Sequence, residues 1–221
     1  MGKSDRKVYY PEWFDPEENL EINCELDSNK SKLNDLFRFS MHFTLDNNSD
    51  KKGLMIILMN PSKADLKNSD ATVNRVLKYA REKYNDVYLY NTLPVYETKS
   101  NKIKEKIDKL KQKHTCVLEN NIFYIKERLL KCQDDYDIIL ATGVPTNVYG
   151  KQAINEIYET IISQDLIVCF FSKNNESPEL NKSNHYAKHL RVVSNKCLEN
   201  ELIRGKLKNI PDFKLAKRRK L

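Results

Sequence analysis

The chain has 221 residues, a length that suits one large domain or one domain with extensions. A hydrophobic fraction of 40% allows a sizeable core, and 31% charged residues indicate a heavily solvated exterior. The longest apolar run, residues 54–59, is too short to cross a bilayer, and the N-terminus lacks the apolar core of a signal peptide, so we expect a cytoplasmic protein without membrane contact.

Net charge and cysteine content indicate which binding partners and bound groups the chain can have. The five cysteines are odd in number and contain no C-x-x-C pair, which favours reduced thiols over a disulfide or zinc framework. Of the formal net charge of +7, five charges lie in the C-terminal tail, on Lys214, Lys217, Arg218, Arg219 and Lys220. Such a tail can hold phosphate groups without sequence preference, or it can be a solubilising disordered end.

In chain order, residues 1–34 carry two prolines and an acidic patch, Glu17, Glu18 and Glu21, and predict an irregular N-terminal arm. Residues 35–210 then form an α/β domain, and residues 211–221 form the basic tail. The domain begins with Phe37, Phe39, Met41 and Phe43, which alternate with polar residues. This period of two predicts a strand with one buried face at the edge of the sheet.

Four short apolar runs follow, at residues 54–59, 87–90, 138–141 and 166–171, and we expect strands near residues 54–59, 87–91, 137–142 and 166–171. They are too short for helices and too continuous for half-exposed strands, so they predict parallel strands covered on both faces. Helical patterns separate them, with apolar stripes that begin at Val73, Leu118 and Ile154. The lysine-rich segment 99–113 is either an exposed helix or a connection. The predicted fold is therefore a central four-stranded parallel sheet flanked by helices, with an extra edge strand.

Common nucleotide and hydrolase motifs are absent from the sequence. With five glycines there is no G-x-G-x-x-G and no Walker loop, and neither a G-x-S-x-G elbow nor an H-E-x-x-H helix occurs. A functional site must then be inferred from where polar residues lie in the predicted fold. Ligands of open parallel sheets bind at the carboxyl ends of the strands. Those ends carry polar or turn residues, namely Asn60, Pro61, Ser62, Asn91 and Gly143.

Individual side chains at these ends suggest different tasks. Asn60 could orient a water molecule or recognise an amide edge, and Ser62 could donate to a phosphate. Asp65 and Asp70 follow in the same loop. Asp70 directly precedes a predicted helix, so it is also suited to cap that helix, which contributes about 1 kcal/mol.

Two histidines, His185 and His189, follow the last predicted strand. A histidine there can stabilise an anion or transfer a proton near neutral pH. Their spacing of four could also place them together on a metal ion, but no Cys, Asp or Glu accompanies them at ligand spacing, so no metal site is predicted. A solvated surface pair is the alternative.

The segment Leu-Met-Asn-Pro-Ser-Lys-Ala-Asp at residues 58–65, followed by Asp70-Ala71-Thr72, resembles the M-L-N-P-S-x-A-D…D-P-T motif of a bacterial family of unknown function. Residues 90–93 and 139–143 resemble two strand ends of that family, so the resemblance covers about residues 37–190. The family in turn resembles the uracil-DNA glycosylase superfamily. A lysine-rich version with few glycines is similar to the pseudo-uracil-DNA glycosylase of resistance-cassette mobile elements.

The resemblance implies roles for matched residues. Asn60 corresponds to the group that positions the attacking water, Asn91 to the base-recognising asparagine, and His185 or His189 to the stabiliser of the departing base anion. Ser62 and Lys63 replace the glycine or aromatic residues that usually follow the first motif, and the late histidine motif lacks its proline. We therefore expect a catalytically impaired pseudo-glycosylase without cofactor or metal, with an active glycosylase or related nucleotide-processing enzyme as the alternative.

The resemblance also implies a protein partner. Glycosylases of this type are blocked by small acidic inhibitors that imitate DNA and enclose an apolar wedge residue after the late histidine. Leu190 is the candidate wedge, and an ordinary core leucine is the alternative. Basic side chains lie on the loops around it, at Lys63, Lys173, Lys182, Lys188 and Arg191. We expect a monomer that binds such an inhibitor-type protein, and DNA through its basic tail.

Overall fold

The computed structural model describes residues 7–23, 37–46, 50–61, 63–97, 100–132, 134–178, 180 and 186–208. These residues form an α/β structure around one mixed seven-stranded sheet. Its strands in chain order are β1 Leu20–Asn23, β2 Ser40–Thr44, β3 Gly53–Leu58, β4 Asp86–Asn91, β5 Tyr136–Leu140, β6 Ile167–Phe170 and β7 Ile203–Lys206. In space they follow the order β1-β2-β4-β3-β5-β6-β7.

The centre of the sheet confirms the four predicted parallel strands. β3 pairs in parallel with β4 on one side and with β5 on the other, and β6 pairs in parallel with β5. Every residue of β3 is buried, as the continuous apolar run from Leu54 onward predicted. The boundaries of the four strands agree with the predicted ones to within two residues.

The flanks of the sheet differ from the prediction of a single edge strand at residues 37–43. β2 begins only at Ser40 and lies inside the sheet, because β1 pairs with its outer side in antiparallel orientation. β7 adds an antiparallel strand at the other edge. β1 falls in the arm that was predicted to be irregular. Both added strands have four residues with charged or polar members, so they lack the apolar pattern that would identify them.

Helices connect the strands and cover both faces. They are α1 Pro16–Asn19, α2 Ala71–Ala80, α3 Ser100–Lys113, α4 Val117–Lys131, α5 Val148–Ser163 and α6 Asn195–Glu199, with a short 3₁₀ turn at Leu190–Val192. The three predicted apolar stripes lie on α2, α4 and α5, and the lysine-rich segment is a helix.

Alternate strand residues pack on opposite sides of the sheet. Leu54, Ile56 and Leu58 of β3 join α2 in one core, whereas Met55 and Ile57 join α4 and α5 in a second core. A third cluster places the buried side of α3 against Phe37, Phe39, Leu93 and Val95. Helices on both faces leave the strand ends as the open edges of the sheet.

Among the described residues, no helix is both long and apolar enough to cross a membrane. The described cysteines are free thiols: Cys132, Cys169 and Cys197 are buried and Cys116 is exposed. Cys24 and the basic tail lie outside the described residues.

Candidate functional site

The strand order defines where a ligand would meet the sheet. From β3 the chain crosses through α2 to β4 on one side, and later returns to β5 on the other side of β3. The direction of winding therefore reverses between β3 and β5, and ligands of open α/β sheets bind at the carboxyl edge beside such a reversal. The loops that follow β3, β4, β5 and β6 meet at this edge.

Asn60, two residues beyond β3, joins the first two of these loops. Its side-chain Nδ2 donates a hydrogen bond to the backbone oxygen of Glu97, at 2.5 Å. A backbone hydrogen bond joins the same two segments next to Asn60, because the amide of Leu93 donates to the carbonyl of Met59 at 2.8 Å. The amide nitrogen of Asn60 thus fixes the loop after β3 to the loop after β4.

The remaining polar residues of the loop after β3 serve the loop itself. Asp65 accepts hydrogen bonds from the backbone amides of Lys67 and Asn68, at 2.8 and 2.7 Å, which is an Asx turn. Asp70 accepts from the amides of Thr72 and Val73 and caps α2, which confirms the capping alternative. Pro61 is buried and Lys63 is exposed, and Ser62 lies outside the described residues.

Asn91, the last residue of β4, is the most unusual polar residue of this edge. It is 1% exposed, and both Nδ2 and Oδ1 of its side chain are buried without a hydrogen-bond partner among the described residues. Asn121 of α4 lies beside it and donates to the backbone oxygens of Asn91 and Thr92, at 2.8 and 3.1 Å. An unpaired buried amide is costly, so Asn91 places an unused donor and an unused acceptor beneath the carboxyl edge, covered by the loops above them.

Gly143 and His189 form the other side of the edge. Gly143 has a φ of 71°, and its amide donates to the backbone oxygen of Ala187 at 3.0 Å. A Cβ at Gly143 would lie 3.0 Å from Cβ of His189, so the glycine allows the histidine segment to approach β5 closely. The structure therefore brings Gly143 and His189 together, as predicted for the ends of neighbouring strands.

The surroundings of His189 favour its neutral form. Burial, reinforced by the positive charge of Arg191, lowers the pKa of this imidazole below its usual value. Its Nδ1 accepts a hydrogen bond from the backbone amide of Arg191 at 3.1 Å, so the proton of the neutral ring is on Nε2. His189 can therefore donate one hydrogen bond to an anion. His185 lies outside the described residues.

The segment after His189 corrects the assignment of an apolar wedge. Leu190 is 1% exposed and belongs to the core beside α2, so it cannot project into a partner. Arg75 of α2 holds this segment by donating to the carbonyls of Leu190, at 3.2 Å, and Val193. Val192, on the same turn, is 67% exposed. The projecting apolar side chain of this turn is Val192.

Arg38 is a residue of this edge that the sequence pattern did not identify. It was expected on the polar, exposed side of a strand, yet it is 2% exposed. Its Nη1 donates to the carbonyl of Ala64 at 2.6 Å, its backbone amide donates to the carbonyl of Pro94 at 2.8 Å, and its guanidinium lies 5.3 Å from the ring centre of Tyr96. Arg38 thus links the loops after β3 and β4. In the described part of the chain, no group of three His, Cys, Asp or Glu side chains is placed to hold a metal ion.

Comparison with known proteins finds one family. The model of the family described as "Protein of unknown function (DUF1643)" matches residues 38–189, more than half of the chain. No curated protein and no solved structure matches the chain. The matched segment begins at Arg38 and ends at His189, so it contains β2 to β6 and the carboxyl-edge loops between them.

Proposed function

The chain belongs to the DUF1643 family, and from that premise we propose that it is a catalytically impaired protein of uracil-DNA glycosylase type that acts by binding a protein partner. The observation that carries the proposal is the state of the loop after β3. The resemblance assigns Asn60 to the water-positioning group, and the amide nitrogen of Asn60 holds the loop after β4. This arrangement supports a scaffold rather than a catalytic centre.

The carboxylates of this loop support the same conclusion. A water molecule that attacks a sugar carbon needs a base, and an asparagine side chain cannot accept the proton. Oδ1 of Asp65 accepts two backbone amides of its own turn, and Oδ1 of Asp70 accepts two at the start of α2, so local hydrogen bonds hold both carboxylates in the loop. Loss of one preorganised group typically lowers a rate by about 10² to 10³. Uracil excision is therefore expected to be very slow.

The turn after His189 supplies the binding surface of the proposal. Val192 projects from it, and Arg191 and Lys173 are exposed on the loops after β6. Lys63 is exposed on the loop after β3. An apolar side chain with cations around it suits a small acidic protein that imitates DNA, because the pocket of the partner provides the anchor and the charges speed the encounter.

Calorimetric titration with a uracil-DNA glycosylase inhibitor homologue tests this proposal. Wild-type chain is expected to bind, and Val192→Asp should weaken binding at least tenfold. Ile167→Asp is the matched control, because Ile167 is 55% exposed but lies at the start of β6, away from the carboxyl edge. Absence of wild-type binding at tens of micromolar in low salt would refute the partner. Equal loss in both variants would refute the surface.

An active glycosylase is the second candidate, and Asn91 and His189 are the observations that favour it. The unpaired amide of Asn91 can recognise a nucleobase edge, and the Nε2 proton of His189 can stabilise a departing base anion. The test is strand breakage after alkali on uracil-containing oligonucleotides. Turnover that disappears in both Asn60→Ala and Asn91→Ala would overturn the impaired-enzyme proposal.

The proposal also places the protein in the cytoplasm. The buried free thiols of Cys132, Cys169 and Cys197 agree with a reducing compartment. DNA binding by the basic tail remains part of the proposal. Replacement of the five basic residues that follow Phe213 by glutamine should reduce both the affinity for DNA and its salt dependence.

A further inference from the structure

Helix α3 has two flanks of different charge. Its apolar residues Ile103, Ile107 and Leu110 recur at i, i+4 and i+7 and are buried in the third cluster. One side of this stripe carries the lysines Lys102, Lys106 and Lys109, and we call it the lysine flank. The other side, the mixed flank, carries Lys104, Asp108 and Lys111.

The mixed flank uses its charges inside the fold. Asp108 accepts a hydrogen bond from the hydroxyl of Tyr149 on α5, at 2.6 Å, and pairs with Lys104 at 3.1 Å. The Nζ of Lys111 lies 5.6 Å from the ring centre of Tyr149 and 3.6 Å from the carboxylate of Glu119. This flank therefore faces α5, and its contacts with Tyr149 occupy it within the fold.

The lysine flank borders the candidate site. The Nζ of Lys106 donates to the backbone oxygen of Tyr96 at 2.7 Å and lies 3.4 Å from the carboxylate of Glu97, the residue whose backbone oxygen binds Asn60. Lys102 is exposed, and the side chain of Lys109 is 70% exposed. The partner of Lys109, Glu105, is also exposed, and such surface pairs are weak enough for an external anion to replace.

The composition of this surface indicates which polyanion it fits. None of the exposed large hydrophobic side chains of the described residues lies on α3. Protein interfaces are depleted in lysine and need an apolar anchor, whereas phosphate backbones are held largely by lysine and arginine. From Lys102 to Lys109 the helix advances about 10 Å, close to three steps of about 3.4 Å along one DNA strand.

We infer that the lysine flank of α3 binds the phosphate backbone of a nucleic acid and guides it along the carboxyl edge of the sheet. This inference goes beyond the proposed function, because it assigns a folded surface, separate from the tail and from Val192, to nucleic acid. Lys102 and Lys109 make the phosphate contacts. Lys106 positions the loop after β4 through Tyr96.

Fluorescence anisotropy with the full chain and a labelled duplex that lacks uracil tests the inference across 50 to 300 mM salt. The double variant Lys102→Gln, Lys109→Gln removes two contacts, so the salt slope should fall by about 2 and affinity at 0.1 M salt by about 60-fold. The double variant Lys104→Gln, Lys111→Gln removes the same charge from the same helix and should bind like the wild type. Thermal unfolding of both variants checks that they fold.

Three results would overturn the inference. These are equal losses in the two double variants, no loss in either, and wild-type binding that disappears completely when only the tail cations are neutralised. If the double variant Lys102→Gln, Lys109→Gln binds the inhibitor-type protein more weakly but binds DNA like the wild type, the lysine flank is a protein-binding surface instead. If Val192→Asp does not weaken binding of the inhibitor-type protein, only the proposed function is affected. The two conclusions can therefore fail separately.

Discussion

Replacement of Asn91 by leucine should stabilise the protein. Leucine has the same branching as asparagine, and it removes a buried amide whose donor and acceptor both lack partners among the described residues. An unsatisfied buried polar group costs about 1–3 kcal/mol, so the free energy of unfolding should rise by about that amount. For a chain of this size, 1 kcal/mol corresponds to about 2–4 °C in Tm.

Asn121→Leu is the matched control for this prediction. Asn121 is fully buried as well, and its Oδ1 also lacks a partner among the described residues, but its Nδ2 donates to the carbonyls of Asn91 and Thr92. Its replacement leaves two buried carbonyls without this donor and should destabilise the chain by about 1–3 kcal/mol. The same substitution at two buried residues in contact should therefore change the free energy of unfolding in opposite directions.

Urea unfolding followed by circular dichroism, together with thermal unfolding, measures both variants. If Asn91→Leu destabilises the chain as much as Asn121→Leu, the amide of Asn91 is satisfied in solution and the reasoning is refuted. A stabilised Asn91→Leu that also loses ligand-induced stabilisation would identify Asn91 as a residue kept for recognition at the expense of stability.

Three further changes test the packing and titration of the fold. Gly53→Ala should destabilise by about 1–3 kcal/mol, because its Cβ would lie 2.1 Å from Cε1 of Tyr136; urea unfolding measures this, and Tyr136→Ala in the same chain should recover part of the loss. Gly143→Ala should cost about 1–3 kcal/mol, since φ is 71°, and unchanged stability would contradict the close approach of His189. The pKa of His189 is lower in the folded than in the unfolded chain, so the unfolded state binds the proton first and stability falls as pH drops below about 6.5. In His189→Gln, the midpoint of urea unfolding should decrease less between pH 7.5 and pH 5 than in the wild type. An unchanged pH dependence of this midpoint would argue against a buried neutral ring.

The central strands could be predicted because their residues carry the signal themselves. Residues such as Leu54 and Ile56 are covered on both faces, and a continuous apolar run follows directly from that environment. β7 could not be predicted in this way. Ile203–Lys206 is a strand because β6 offers free backbone groups beside it, and that pairing leaves little trace in four mixed residues.

The edge of the sheet at which the candidate residues lie was predictable, and their contacts were less so. The rule that ligands meet the carboxyl edge identified Asn91 and His189, but the burial and missing partners of Asn91 depend on packing by α4. The burial of Arg38 goes with contacts to residues far away in sequence, Ala64 in the loop after β3 and Pro94 in the loop after β4. Leu190 and Val192 are both apolar and only two residues apart, so the sequence alone could not decide which of them projects.

The two outer strands also protect the sheet from association with other chains. β1 covers the edge of β2, and β7 covers the edge of β6; both inner strands are largely buried, and an exposed edge of such strands would template pairing between molecules. β1 and β7 are short and antiparallel, and they carry Glu21, Arg204 and Lys206 at the two borders. Aggregation should therefore begin from states in which β1 or β7 has detached, before the parallel core unfolds.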